Sequence, residues 1–98
     1  MLGFDISLKG VRTTVGTTST NCDLSTHPRA GSTELVIVNL GANPVHITAG
    51  AAAVDNTCFV VPAGQTRTAH KPSSVTVLKA LAITAASDIV IYPGVSDY

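Results

Sequence analysis

The sequence predicts an all-β fold: a single small β-sandwich of about eight strands, with jelly-roll or immunoglobulin-like topology. The β-branched residues Thr, Val and Ile, which favour strands over helices, account for 31 of the 98 residues. The chain is punctuated by 8 Gly and 5 Pro, and short apolar or alternating runs recur roughly every 8–12 residues, as in sandwiches. This length suits one domain. We expect a sandwich at residues 11–98 after an N-terminal arm or first strand at residues 1–10.

The first element is predicted from strict alternation. Leu2, Phe4, Ile6 and Leu8 alternate with small or polar residues, which gives an extended strand one apolar face. Two interpretations are open: an ordinary first strand packed on the core, or an arm that adds to a neighbouring subunit. Phe4 is one of only two Phe residues in the chain. We therefore take these four side chains as the candidate subunit interface.

The next two segments are polar. Residues 11–24 are rich in Thr and predict an exposed, twisted strand that bends at Gly16. Residues 25–32 predict a loop, because Pro28 disfavours helical backbone angles at His27.

The stretch ELVIVNLGANPVHITAG, residues 34–50, predicts a strand, a turn and a second strand. Residues 35–38 are a continuous apolar run, typical of a buried strand. Asn, Gly and Pro in residues 39–44 favour a turn. We expect residues 45–48 to return antiparallel, which would make the whole stretch a hairpin, with its tip at residues 41–44 available for contact.

The remaining sequence predicts further strands. After an Ala-rich loop at residues 50–56, the sequence TCFVVPAGQT predicts a strand that ends at Pro62 and a tight turn at PAG. Residues 66–70 predict a short edge strand. Residues 74–84 predict one or two strands, with a helix as the competing interpretation because Leu, Lys and Ala are frequent there. The final strand, in DIVIYPGV, has Ile89 and Ile91 on one face and Val90 and Tyr92 on the other.

Charge and hydropathy exclude several classes of partner. Six basic residues balance six acidic ones, and only 12% of the chain is charged. Without a basic run, we expect no nucleic-acid binding. No apolar stretch approaches the ~20 residues of a membrane span, so we expect no membrane association. The first residues do not resemble a signal peptide, so we expect the protein to be made in a reducing cytoplasm. A surface so poor in charge tends to associate, and we expect a homo-oligomer.

The residues that could carry chemistry are scattered. His27, His46 and His70 do not combine with Cys22 and Cys58 in any spacing typical of zinc sites. We expect both thiols to be reduced and buried, with Cys58 in the core. The acidic residues form no pair in the sequence, and there is no calcium-loop motif. The sequence therefore predicts no catalytic, metal or cofactor site. We expect that the protein is not an enzyme.

A carbohydrate-binding module is the main conventional alternative for a small sandwich. Such modules stack sugar rings on exposed aromatic side chains. The chain has four aromatic residues. We expect Phe59 and Tyr92 at or near the core, Phe4 in the N-terminal segment, and only Tyr98 free, which argues against a sugar platform.

Three short sequences follow one another in a recognisable order: LVIVNLGANPV, then PAG, then AITAA leading to IVIYPG. The matching residues are Val36, Val38, Asn39, Gly41, Asn43, Pro44, Val45, Pro62, Ala63, Gly64, Ala82, Ile83, Ala85, Ala86 and Gly94. This order resembles small structural proteins of tailed bacteriophages, in which the first and last sequences form hairpins. The resemblance covers about residues 34–94.

The resemblance implies a virion component without an active site. It implies a capsid decoration (cement) protein that binds the phage head lattice, with the major capsid protein or other virion proteins as partners, located in the virion after assembly in the host cytoplasm. A small head-tail or tail accessory protein is the first alternative, and a carbohydrate-binding or adhesion module is the second. On any of these, we expect function to lie in surfaces.

Overall fold

The computed structural model describes residues 10–49 and 58–94 of the chain. These ranges contain eight strands in two antiparallel four-stranded sheets. The strands are β1 (Val11–Val15), β2 (Thr20–Asp23), β3 (Glu34–Asn39), β4 (Val45–Ala49), β5 (Phe59–Val61), β6 (Thr66–His70), β7 (Val77–Leu81) and β8 (Ser87–Pro93). The predicted all-β sandwich is confirmed. The predicted N-terminal strand with Leu2, Phe4, Ile6 and Leu8, the loop at residues 50–56 and Tyr98 lie outside the described residues.

The strand order identifies the topology. One sheet, sheet A, has the order β1-β8-β3-β6, and the other, sheet B, has the order β2-β7-β4-β5. The pairs β1·β8, β2·β7, β3·β6 and β4·β5 are therefore nested, as if one long hairpin with its tip between β4 and β5 had been wrapped into a sandwich. This nesting is the jelly-roll topology, which decides between the two predicted alternatives.

The core lies between the two sheets and is made by strict alternation. In β8, every second residue from Ser87 to Pro93 is buried, and Ile89 and Ile91 are completely so, as predicted. Burial of such a side chain is worth about 1.5–3 kcal/mol. The buried apolar cluster is Val15, Cys22, Leu24, Leu35, Ile37, Val45, Ile47, Val61, Leu78, Ala80, Ala82, Ile89 and Ile91.

Three predictions about connectivity are wrong for one reason. Residues 34–49 do not form a hairpin, because β3 belongs to sheet A and β4 to sheet B. The last two strands, β7 and β8, likewise lie in different sheets. Residues 11–24 form two strands, one in each sheet, with the break at Gly16. In each case the short connection resembles a hairpin turn. It nevertheless carries the chain across the core, from one sheet to the other.

The predicted exposure of residues 11–24 is wrong at three positions, because Val15, Cys22 and Leu24 are completely buried in the core.

Four other local predictions are confirmed. β5 ends immediately before Pro62, and Gln65 N–H donates to Pro62 O at 3.1 Å across a turn in which Gly64 has φ of 69°. β6 is an edge strand of sheet A. Residues 74–84 hold one strand, β7, and no helix, because alternate residues Leu78 and Ala80 face the core.

Candidate functional site

A buried asparagine organises one end of the sandwich. Asn39, at the end of β3, is 1% exposed, and its side chain makes four hydrogen bonds. Its Nδ2 donates to Asn43 O at 2.7 Å and to Val61 O at 3.0 Å. Its Oδ1 accepts from Gly41 N–H at 3.0 Å and from the Ser87 hydroxyl at 2.8 Å. Both donors and both acceptor positions of the amide are used, so this buried polar group is fully satisfied.

Asn43 and Thr84 extend this hydrogen-bond network from the β3–β4 connection to the β7–β8 connection. Asn43 Nδ2 donates to Ala86 O at 3.2 Å, and the Thr84 hydroxyl donates to Asn43 Oδ1 at 3.2 Å. We call Asn39, Gly41, Asn43 and Ser87 the asparagine cluster. It links the β3–β4 connection to the β7–β8 connection and to β5.

Gly41 is required in the cluster for space. A Cβ at this position would lie 2.8 Å from Ser87 Cβ and 2.9 Å from Ser87 Cα, closer than such atoms approach in proteins. The residues that carry the sequence resemblance at positions 39, 41 and 43 therefore have a structural role. At the predicted contact tip, Ala42 and Pro44 are exposed, and the adjacent Leu40 is 52% exposed.

The two cysteines lie apart. Cys22 is completely buried on β2, and its burial raises the pKa of the thiol, an effect that a hydrogen bond with Thr13 partly offsets. Cys58 is half-buried and precedes β5, so it is not the core residue that we predicted. Neither forms a disulfide. Since β2 and β5 are opposite edges of sheet B, about three strand spacings or ~14 Å separate them, too far for a disulfide.

Each histidine is engaged locally. His27 Nδ1 accepts a hydrogen bond from Arg29 N–H at 3.0 Å. His46 lies on the outer face of β4, with Nδ1 3.4 Å from Cys58 O. His70 Nε2 lies 3.4 Å from Glu34 Oε1. Within residues 10–49 and 58–94, no three His, Cys, Asp or Glu side chains gather in a metal-binding group.

Two carboxylates of the described ranges have clear partners. Arg12 donates to Asp88 Oδ2 at 2.8 Å and the Thr14 hydroxyl donates to Oδ1 at 2.7 Å, and these bonds lower the pKa of Asp88. The pKa of Asp23 is lowered by hydrogen bonds from Ser25, whose N–H lies 2.9 Å from Oδ1. The two acids lie on different sheets, so they do not form a catalytic pair.

Lys71 was not singled out by sequence reasoning. It follows β6 and is only 4% exposed, and its Nζ donates to Ala30 O at 2.7 Å and to Pro72 O at 3.4 Å. Burial lowers the pKa of its ammonium group. No sequence signal marks it, because its acceptor lies 41 residues away.

An apolar cleft opens between the edge strands β5 and β6. It has a volume of about 300 Å³ and includes Lys71 and His70 at its polar rim. Its apolar lining comes from both sheets: Leu35, Ile37, Ile47, Phe59, Ala69 and Leu78. Phe59 is 42% exposed and the next residue, Val60, is 38% exposed. The predicted core position of Phe59 is therefore wrong, because β5 is an edge strand and its first residue lies at the mouth of the cleft. We call this feature the β5–β6 cleft.

Comparison of the chain with models of protein families, with curated proteins and with solved structures finds no match. In the part of the chain that the structure describes, no helix has the length and apolarity needed to cross a membrane. The candidate site is thus defined by geometry alone, and the β5–β6 cleft is the feature best suited to contact another molecule.

Proposed function

We propose that this chain is a non-enzymatic structural protein of a virion, and specifically a capsid decoration (cement) protein that binds and stabilises a phage head lattice. The observation that carries the proposal is the β5–β6 cleft, which is lined by core residues of both sheets and includes the 42% exposed Phe59. Aromatic side chains are enriched at protein interfaces. Since only 12% of the chain is charged, broad contacts with neighbouring subunits are favoured over steering by charge.

Two further observations support this assignment. The jelly roll is a topology found in capsid proteins as well as in lectins, which supports the proposal by fold analogy only. The three sequences that resemble small phage structural proteins occupy the turns and the last strand of the sandwich, including the asparagine cluster. A virion subunit needs rigid turns of this kind, since lattice contacts repeat the same geometry in every copy.

The proposed partners are the major capsid protein or other virion proteins, together with further copies of this chain. The proposed location is the virion, after assembly in the host cytoplasm. No nucleic acid, membrane, metal or cofactor enters the proposal. A small head-tail or tail accessory protein would use the same surfaces at a different place in the particle.

One observation favours a second candidate function. Phe59 presents an aromatic ring at the surface, contrary to the expectation from sequence, and sugar rings stack on such side chains. A carbohydrate-binding or adhesion module is therefore the alternative.

The test is to locate the chain in particles. Phage particles from the cells that encode it are purified on a density gradient, and the chain and the major capsid protein are quantified by mass spectrometry. The proposal expects the chain at a fixed ratio to the capsid protein, in tail-free heads as well as in complete particles. Presence only in complete particles would favour the accessory protein. Absence from particles, combined with retention on immobilised oligosaccharides that Phe59→Ala abolishes, would favour the sugar-binding module.

A further inference from the structure

The β5–β6 cleft lies beside strand edges that can accept another strand. Among the strands that the structure describes, β6 pairs only with β3, and β5 pairs only with β4. Lys71 N–H donates to Thr33 O, and Asn39 N–H donates to Gln65 O, which sets the phase of the β3–β6 ladder. The backbone groups of odd-numbered β6 residues therefore face β3, and those of Thr66, Thr68 and His70 face away from the sheet. An added strand would find hydrogen-bonding groups there, next to an apolar cleft.

The sequence contains one segment suited to that position. Leu2, Phe4, Ile6 and Leu8 are spaced by two residues, so in an extended strand they project to one side at intervals of about 6.8 Å. Added at the edge of β6, such a strand continues sheet A and directs these side chains towards Ala69, Ile47 and Phe59 in the cleft. Its polar side chains then face solvent.

We infer that the β5–β6 cleft binds the Leu2–Leu8 segment of a second copy of this chain by strand addition to β6. This inference rests on the proposed function, in which the chain assembles with other copies, and it identifies the receptor for the predicted arm. The recognition combines backbone hydrogen bonds with apolar pockets for alternate side chains.

The position of Gly10 keeps the Leu8 end of the segment away from β6 of its own chain. Gly10 precedes β1, and β1 and β6 are the opposite edges of sheet A. Three strand spacings, or ~14 Å, therefore separate Gly10 from β6. Leu8 is two residues from Gly10 and reaches at most about 7 Å from it. The segment consequently cannot lie along β6 of its own chain over its whole length.

Charge is compatible with this pairing. The receptor strand carries Arg67 and His70 and no carboxylate, and Lys71 follows it. The arm carries one acidic residue, Asp5, among its alternating polar positions. Asp5 of the arm can pair with Arg67 of the edge, whereas Lys9 follows the Leu2–Leu8 segment and lies outside it. Pairing of β6 with a second β6 would instead bring together two strands that carry Arg67 and no carboxylate.

The test is a disulfide formed between two full-length chains, both carrying Cys58→Ser so that Cys58 does not interfere. One chain carries Phe4→Cys and the other carries Ala69→Cys. They are refolded together and oxidised, and the cross-linked species are identified on a non-reducing gel and by mass spectrometry. The control partner is Ala85→Cys, which is exposed on the β7–β8 connection at the other end of the sandwich. We expect the Phe4→Cys and Ala69→Cys pair to cross-link at least tenfold more than the control pair.

Light scattering on the wild type and two matched variants provides the second readout. Ala69→Phe fills the cleft with a side chain of its own, and we expect the native mass to fall to that of one chain while the circular dichroism spectrum is unchanged. Ala85→Phe adds the same ring at the exposed site, and the mass should stay that of the wild type. Phe4→Asp should also give a folded single chain.

Several results would overturn the inference. In the cross-linking experiment, these are equal cross-linking of the Ala69→Cys and Ala85→Cys partners, or a disulfide within a single chain that carries both Phe4→Cys and Ala69→Cys. In the light-scattering experiment, they are a wild type that stays monomeric at all concentrations, or unfolding of the isolated chain by Phe4→Asp. All these measurements use pure protein. A chain that fails them while banding with phage particles would disprove the arm–cleft contact alone, whereas a cross-linking chain absent from particles would disprove the virion assignment alone.

Discussion

The asparagine cluster and the β5–β6 cleft share residues of β3 and β5 but differ in whether their groups have partners within the chain. On β3, Asn39 belongs to the cluster whereas Leu35 and Ile37 line the cleft. On β5, Val61 is completely buried and its carbonyl accepts a bond from Asn39, whereas Phe59, two residues earlier, is 42% exposed. The cluster closes its end of the sandwich with bonds within the chain. At the other end, the cleft leaves the Phe59 side chain partly exposed, where a partner can bury it.

The largest effect that this comparison predicts is at Asn39. Asn39→Ala removes four hydrogen bonds, and it leaves Val61 O and the Ser87 hydroxyl buried without these partners, whereas Gly41 N–H and Asn43 O are only partly buried. We expect the free energy of unfolding to fall by about 3–5 kcal/mol, since each stranded buried polar group costs about 1–3 kcal/mol. Urea denaturation followed by circular dichroism measures it. Asn21→Ala, at an exposed position of β2, is the control and should cost less than about 0.5 kcal/mol. Similar costs for the two variants would show that the cluster does not hold the crossovers.

Gly41 tests the rigidity of the asparagine cluster by a steric change alone. Gly41→Ala places a methyl group against Ser87 Cα and Cβ, and we expect a loss of about 1–3 kcal/mol in the free energy of unfolding. The matched control is Gly31→Ala, since a Cβ at that position meets nothing within 4 Å. If Gly41→Ala is as stable as Gly31→Ala, the β3–β4 connection can shift at little cost and the asparagine cluster is not rigid.

A pair of variants on β5 compares the two regions directly. Val61→Ala should destabilise the isolated chain by about 2 kcal/mol, because it removes completely buried methyl groups. Phe59→Ala removes more carbon atoms, yet we expect it to cost only about 1 kcal/mol, because its ring is partly in water already. Thermal unfolding at low protein concentration measures both. A larger loss for Phe59→Ala would mean that the cleft is part of the core of the single chain.

The smallest predicted effect is the pH dependence of the Asp88 ion pair, at the surface of sheet A. Its pKa is lowered by Arg12 and Thr14, so its contribution to stability is present above the ordinary carboxyl value of about 4 and disappears as the pH falls through the lowered native value. Both partners are partly exposed, which keeps the effect small. In urea titrations, the wild type should be more stable than Asp88→Asn near neutral pH, and the two should converge towards about pH 2. Arg12→Gln should reproduce the loss at neutral pH. A difference between wild type and Asp88→Asn that does not change with pH would contradict the assignment.

The strands were predictable because their causes are local. Alternation in β8, the Pro62 boundary of β5 and the Gly64 turn all follow from a few adjacent residues. The assignment of strands to sheets was not predictable, because a connection such as residues 40–44 serves equally as a hairpin turn or as a crossover. The Asn39 side chain is bonded across this crossover, and its partners Val61 and Ser87 lie 22 and 48 residues away, so no local pattern reveals them.

The candidate site was predictable only in part. An apolar arm was identified from its alternation, but the cleft proposed to receive it is built from five strands of both sheets. Phe59 looked like a core residue within an apolar run, and only the edge position of β5 places it at the mouth of the cleft. Lys71 carries no sequence signal, since its burial depends on the distant carbonyl of Ala30.

The nested pairing has a consequence for how the chain is made. Among the described strands, β8 is synthesised after all the others, yet it lies in the interior of sheet A and pairs with both β1 and β3. During translation β1 therefore waits without this partner until the other seven described strands have been made. Of the described strand pairs, only β4–β5 joins strands that are consecutive in the chain. Such non-local pairing slows folding and leaves apolar strands exposed to aggregation for longer than in a chain built from local hairpins.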